Sequence, residues 1–215
     1  MKELQIFVYI VCISIVLQGG ITPELQTQAK ILSDFVVFTW SLGFINLVYL
    51  RGALNQFGVR PRTTIGLFCI ALAPFLHGSW HHLIGNTIPF IILGWFVLLR
   101  GVSDFYIVTV VTILVSGLGT WMFGREYTNH FGASDIIFGY IGFLLLYSYV
   151  ESDSLSIVLS AIVGFLYGRT LWGIFPLYEG VSWEGHLFGL LGGVLAAGYM
   201  DILKPIFSFM SQLLS

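Results

Sequence analysis

Charged residues are scarce in this sequence: Lys, Arg, Asp and Glu together make up 9% of its 215 residues. A soluble domain carries about 25% charged residues, because its surface must face water. The 9 basic and 11 acidic side chains are too few to cover a soluble globule of this length. A disordered chain is excluded as well, since 57% of the residues are hydrophobic and 16% are aromatic. The composition therefore predicts a single-domain protein that crosses a membrane several times.

A basic surplus and a cysteine framework are also missing. The formal net charge is −2, so no positive field is available to hold nucleic acid. The two cysteines, Cys12 and Cys69, both lie in apolar runs, which is typical of small buried side chains rather than of disulfides. His77, His81 and His82 cluster without a neighbouring carboxylate or thiolate. No metal and no other cofactor is therefore expected.

Six apolar runs are each long enough to cross the bilayer core as a helix, which takes about 20 residues. They cover roughly residues 32–50, 82–99, 105–123, 134–150, 155–172 and 186–206. The connection between the first two runs is long, and its apolar part, 65–76, predicts a hairpin in the membrane interface. A further apolar stretch at 6–17 predicts an additional N-terminal helix, either spanning or interfacial. The predicted division is an N-terminal hydrophobic segment at 1–28, a membrane domain at 29–207 and a C-terminal tail at 208–215.

Polar residues gather at the N-terminal ends of the second, fourth and sixth runs. The segments read H-G-S-W-H-H-L-I-G-N at 77–86, G-A-S-D at 132–135 and E-G-H-L-F-G-L-L-G-G at 184–193. Polar groups inside membrane helices are costly and therefore indicate a functional site. In an up-and-down bundle, the even-numbered helices all begin on the same side of the membrane. Ser134, His186, His82 and Asn86 are thus predicted to lie at a similar depth on one face.

These residue types fit nucleophilic catalysis. A serine hydroxyl becomes a useful nucleophile when an adjacent base takes its proton, and His186 is a suitable base for Ser134. His82 and Asn86 are four residues apart and project from one face of a helix. Together with the backbone N–H of Ser134, they could donate hydrogen bonds to a developing oxyanion. Glu184 is too close to His186 along the helix to orient it, so a Ser-His dyad is the simpler arrangement.

The sequence resembles the rhomboid family of intramembrane serine proteases. The resemblance rests on three motifs in the order and spacing of the family: His82 and Asn86; Gly132, Ala133 and Ser134; and His186, Gly189 and Gly193. The glycines of the last motif have the G-x-x-x-G spacing that lets two membrane helices approach closely. Such contact with the fourth helix would bring His186 to Ser134.

The resemblance implies an all-α bundle of six membrane helices with a long first loop. It also implies that the protein cleaves transmembrane-helix substrates and lies in the plasma membrane. It implies Ser134 as nucleophile, His186 as general base, and His82 and Asn86 as oxyanion donors. Its implied partners are a transmembrane protein substrate and the lipid bilayer. The oligomeric state is left open.

Further residues have supporting roles by the same resemblance. Gly132 belongs to the nucleophile motif, and Gly189 and Gly193 belong to the helix contact. Phe138 takes the place of the aromatic residue that packs on the catalytic histidine. His77 looks like the family's structural histidine of this region.

Two departures from the family pattern keep other readings open. The family usually has glycine directly after the nucleophile, where this chain has Asp135, and the Trp-Arg pair common in the first loop is absent. The first departure favours a rhomboid-like pseudoprotease that binds membrane helices without cutting them. Taken singly, Ser134 could be a small residue at a helix contact, and His82 and Asn86 an interhelical hydrogen-bonding pair. A small-molecule transporter is a third reading, but it would usually show an internal repeat, and none is found.

Overall fold

The computed structural model describes residues 22–177 and 180–214, and this part of the chain is all-helical, as predicted. The predicted N-terminal helix at 6–17 lies outside the described residues. The α-helices are α1 (Pro23–Phe44), α2 (Thr64–Phe68), α3 (Trp80–Leu98), α4 (Val102–Phe123), α5 (Ser134–Glu151), α6 (Ser154–Tyr167), α7 (Trp183–Gly198) and α8 (Met200–Leu214). Short 3-10 or π segments adjoin them at Ile45–Tyr49, Ala53–Phe57, Cys69–Ala71, Ala73–Phe75 and Gly168–Ile174.

Several of these helices are long and apolar enough to cross a membrane. Four such segments occur among the described residues: Pro23–Tyr49, Trp80–Leu98, Val102–Phe123 and Ser154–Ile174. A fifth passes the same test only as the pair α7 and α8, which is bent by 87°. The sequence analysis predicted one continuous run at 186–206, and this is wrong in shape. The helix ends at Gly198, and the chain turns sharply at Tyr199 before α8 begins.

Helix α5 lies at the centre of the bundle. Every residue from Ile136 to Leu144 is buried, as expected for a helix that is apolar all round. Its polar groups find partners inside the protein: the Tyr140 hydroxyl lies 2.8 Å from Oγ1 of Thr109 on α4. Since α5 begins with Ser134, the most enclosed helix of the fold carries the predicted nucleophile.

The long first loop is structured and tied to the rest of the protein. Its apolar part forms α2 and two 3-10 turns instead of the predicted hairpin, with the Phe68 side chain exposed. Val59 pairs with His130 through two backbone hydrogen bonds. The Arg62 guanidinium donates to the carbonyl groups of Met122 and Gly124, at the end of α4. The loop is therefore fixed against the segment that leads to Ser134.

The contact between α5 and α7 depends on glycine. A side chain at Gly189 would meet the backbone of Asp135, and one at Gly193 would meet the carbonyl group of Gly139. Backbone therefore packs directly on backbone along this contact, which is the close approach that G-x-x-x-G spacing predicts. This contact sets the position of His186 on α7 relative to Ser134 on α5.

Candidate active site

The predicted site residues lie at the start of three helices. Ser134 is the first residue of α5, His186 is the fourth residue of α7, and His82 is the third residue of α3. The start of α3 is capped by the Ser79 hydroxyl, which accepts a hydrogen bond from the backbone N–H of His82. The three helix starts lie on one side of the bundle. This is the topology from which the sequence analysis predicted that the site residues lie at a similar depth on one face.

The imidazole of His186 is held in one orientation. Its Nδ1 lies 3.0 Å from the carbonyl oxygen of Gly173, so this nitrogen carries the proton and donates it. The other ring nitrogen, Nε2, is then the unprotonated one and can accept a proton. A backbone carbonyl, not a carboxylate, therefore fixes the orientation and tautomer of His186.

The His186 ring also stacks on Phe138. Their ring centroids are 4.2 Å apart and the planes differ by 11°. Gly173 allows this packing, since a Cβ there would lie 3.0 Å from the Phe138 ring and 3.3 Å from Nδ1 of His186. Phe138 follows Ser134 by one helical turn on α5. The stack therefore holds the His186 ring against α5, one helical turn after Ser134.

His82 contacts the backbone of the nucleophile motif. Gly132 has φ +123°, and a Cβ there would lie 2.7 Å from Cε1 and 2.8 Å from Nε2 of His82. The same Cβ would lie 3.5 Å from Nδ2 of Asn86. Glycine at this position thus allows both predicted oxyanion donors to approach the chain two residues before Ser134.

His77 orients Asn86. Its Nε2 lies 3.2 Å from Nδ2 of Asn86, and its Nδ1 lies 3.3 Å from the carbonyl oxygen of Phe75. Burial, and then the neighbouring His82, lower the pKa of the His77 imidazole to about 4. His77 is therefore neutral at pH 7, with Nδ1–H donating to Phe75 and Nε2 accepting from Asn86. One N–H of the Asn86 amide is used in this way, which leaves the other for a ligand.

The Asp135 carboxylate points at α7, where Gly185 leaves room for it. A Cβ on Gly185 would lie 2.6 Å from both carboxylate oxygens. Sequence reasoning missed Gly185, although a signal was present, because glycine recurs at 185, 189 and 193 with constant spacing. Asp135 is larger than the glycine that the rhomboid family usually has at this position. The space for its side chain is provided by Gly185, which has no side chain, on the facing helix α7.

Exchanging Gly185 for alanine tests this match. Gly185→Ala is expected to lower the free energy of unfolding by about 1–3 kcal/mol, because the new methyl group overlaps the Asp135 carboxylate. In an Asp135→Ala background, the loss of unfolding free energy caused by Gly185→Ala should be smaller by at least about 0.5 kcal/mol, as expected for two residues in contact. Thermal unfolding of the unaltered protein, the two single variants and the double variant in detergent measures this coupling. Additive effects of the two exchanges would show that the residues do not share this space.

A second polar cluster joins the loop before α5 to the start of α7. The ring nitrogens of His130 lie 2.7 Å from the Thr128 hydroxyl and 2.5 Å from the Ser182 hydroxyl. Burial lowers the pKa of the His130 imidazole below its usual value. Ser182 precedes α7, and its carbonyl group accepts a hydrogen bond from the backbone N–H of His186. His130 therefore links the segment that leads to Ser134 with the turn that positions His186.

The buried Glu184 carboxylate belongs to the same junction. Its Oε1 lies 3.7 Å from Nε of Arg125, which is in the loop before α5. The ion pair joins the start of α7 to the loop before α5. Among the described residues, no group of three or more His, Cys, Asp or Glu side chains is arranged to hold a metal ion.

Comparison with known proteins places this arrangement in a family. A family model described as the rhomboid domain matches residues 65–201. The chain is 40% identical over 193 residues to the uncharacterized protein Rv1337 of Mycobacterium tuberculosis, covering 82% of this chain and 80% of that protein. The uncharacterized protein Mb1372 of Mycobacterium bovis gives the same values. The uncharacterized protein ML1171 of Mycobacterium leprae is 37% identical over 194 residues, covering 83% of this chain and 76% of that protein.

Proposed function

Because the chain belongs to the rhomboid family, we propose that it is an intramembrane serine endopeptidase that cleaves peptide bonds in or near transmembrane helices. The observation that carries this proposal is the setting of His186. Its ring is stacked on Phe138, one turn after Ser134, and its Nδ1 is occupied by the Gly173 carbonyl group. A histidine that serves only for packing does not need its tautomer fixed by a carbonyl group while it packs on the helix that begins with Ser134.

The first half of the reaction uses Ser134 and His186. The Ser134 hydroxyl attacks the carbonyl carbon of the scissile bond while Nε2 of His186 takes the hydroxyl proton. The carbonyl π bond becomes an oxyanion in the tetrahedral intermediate. When the intermediate collapses, the C–N bond breaks, and the protonated His186 gives its proton to the departing amine.

The oxyanion is stabilised from two sides. The side chains of His82 and Asn86 approach from α3, next to Gly132. The backbone N–H of Ser134 is among the first of α5, where N–H groups have no acceptor within the helix. The positive end of the helix dipole acts at the same point. In the second half of the reaction, water attacks the acyl-enzyme, with His186 again accepting a proton.

The proposed arrangement in the membrane has six spans: α1 and α3–α7. Five of them meet the length and hydropathy requirements when α7 is taken with α8. Helix α5 is included because its middle is enclosed by the other helices. We place the protease domain at 29–207, apart from segments 1–28 and 208–215, and the protein in the plasma membrane. Its proposed substrate is another membrane protein.

A catalytically inactive relative is the second candidate, and Asp135 favours it. The Ser134 hydroxyl is within hydrogen-bonding reach of the neighbouring Asp135 carboxylate. A hydroxyl that donates to Asp135 does not donate to His186. The protein would then bind membrane helices without cutting them. Gly185 leaves room for this carboxylate beside α7, so Asp135 is compatible with the close contact of α5 and α7.

Labelling by a fluorophosphonate probe separates the two candidates. The protein purified in detergent is expected to be labelled at Ser134, as mapped by mass spectrometry, because His186 activates this hydroxyl. His186→Ala should slow labelling by about 10²-fold or more, the usual contribution of a general base. Ser134→Ala is the negative control. An unlabelled protein that still unfolds cooperatively would favour the inactive candidate, and Asp135→Gly would then be expected to restore labelling.

A further inference from the structure

We infer that the C-terminal helix α8 lies in the interface of one bilayer leaflet, on the side of the membrane opposite the active site. The first observation is the direction in which α7 and α8 run. Helix α7 starts at the active-site end, carries His186 in its first turn and ends at Gly198. Helix α8 follows with a bend of 87°. If α7 runs across the membrane, α8 therefore runs along its far surface.

One side of α8 is fixed to the bundle. Leu203 and Phe207 pack against the main hydrophobic core, and the Phe207 ring is stacked with that of Tyr106 on α4. Nζ of Lys204 lies 2.9 Å from Oδ1 of Asp104, whose carboxylate is buried. The helix is thus docked at the start of α4 in a set orientation.

A second side of α8 is apolar and has no cover within the described chain. Its five large side chains are between 51% and 69% exposed: Ile202, Ile206, Phe209, Met210 and Leu213. At about 100° per residue, they fall within an arc of about 100°. The opposite side carries the polar residues Asp201, Lys204, Ser208, Ser211 and Gln212. A helix divided in this way is typical of an interfacial membrane helix.

The position of this apolar side identifies its occupant as lipid. The two helices that α8 contacts, α4 and α7, also expose an apolar surface, which faces the hydrocarbon in the proposed arrangement. That surface includes Val110, Leu114 and Leu118 on α4, and Leu191 and Leu195 on α7. Tyr199, at the bend, is also exposed and suits the boundary between hydrocarbon and headgroups. The apolar side of α8 therefore faces lipid near the level of the headgroups.

Spin labels on the two sides of α8 test this inference. The full-length protein, with Cys12 and Cys69 replaced by alanine, receives a single cysteine by Phe209→Cys, and the matched control is Ser208→Cys. Both are reconstituted in liposomes of phosphatidylcholine and phosphatidylglycerol. The label at 209 is expected to collide readily with oxygen and several-fold less with a water-soluble nickel chelate than the label at 208.

Two results would overturn the inference. Equal collision with the nickel chelate at both positions would place α8 in water. A label at 209 that is shielded from both oxygen and nickel would show that protein, such as a second copy of the chain, covers this side. Leu213→Cys repeats the measurement one turn later on the same side. Since none of these positions belongs to the active site, the outcome does not depend on proteolytic activity.

Discussion

Replacing Ser134 by alanine is expected to abolish cleavage of a transmembrane substrate while the thermal unfolding midpoint stays unchanged. The exchange removes the nucleophilic oxygen, and loss of the nucleophile lowers peptide-bond cleavage by a factor of about 10⁴ or more. Stability should be preserved, because Ala133, not Ser134, is the capping residue of α5. Alanine is moreover a good helix former. The measurement is cleavage of a labelled peptide with a glycine-containing transmembrane helix in liposomes, beside thermal unfolding in detergent.

The matched control for this variant is Ser148→Ala. Ser148 lies near the other end of α5, and its hydroxyl donates to the Leu145 carbonyl group within the same helix. Both exchanges therefore remove one serine hydroxyl from the same helix, but only one removes the proposed nucleophile. Cleavage that persists in Ser134→Ala, or is lost equally in Ser148→Ala, would contradict the assigned role of Ser134.

The general arrangement could be predicted from the sequence because it depends on spacing. Apolar runs of the length of a bilayer predicted the helices, and their alternation placed the starts of the even-numbered ones together. Three motifs at those starts predicted the rhomboid family, and the family match over residues 65–201 confirms it. The packing of Phe138 on His186, implied by the same resemblance, agrees with their stacked rings.

Other features of the site have no sequence signature. The group that orients His186 is the carbonyl of Gly173, and every residue has a backbone carbonyl. Its placement depends on the 3-10 segment Gly168–Ile174, which the sequence analysis included, up to residue 172, in a spanning helix. The turn at Tyr199 was missed for a related reason. Mean hydropathy stays high across the turn. The residues of α8 are apolar on one side of the helix and polar on the other, and this becomes visible only when each helical face is examined separately.

Gly193→Ala is expected to separate α5 from α7 and thereby to reduce both stability and labelling of Ser134. The added methyl group would meet the carbonyl of Gly139 and lie 2.8 Å from the backbone nitrogen of Phe143. Backbone atoms cannot rotate away as a side chain can, so the helices must move apart. We expect a loss of about 2–3 kcal/mol in the free energy of unfolding. Fluorophosphonate labelling should fall as well, because His186 lies two turns earlier on the displaced helix.

Gly198→Ala provides the comparison within the same helix. No atom lies within 4 Å of a Cβ built at Gly198, so only the intrinsic preference for helix changes. Alanine is better than glycine in a helix by up to about 1 kcal/mol, and this variant should therefore be neutral or slightly stabilised, with labelling intact. If both exchanges had the same effect, backbone contact between α5 and α7 would not be what holds His186 near Ser134. A selective loss at Gly193 would tie the labelling of Ser134 to the contact between α5 and α7, where backbone meets backbone.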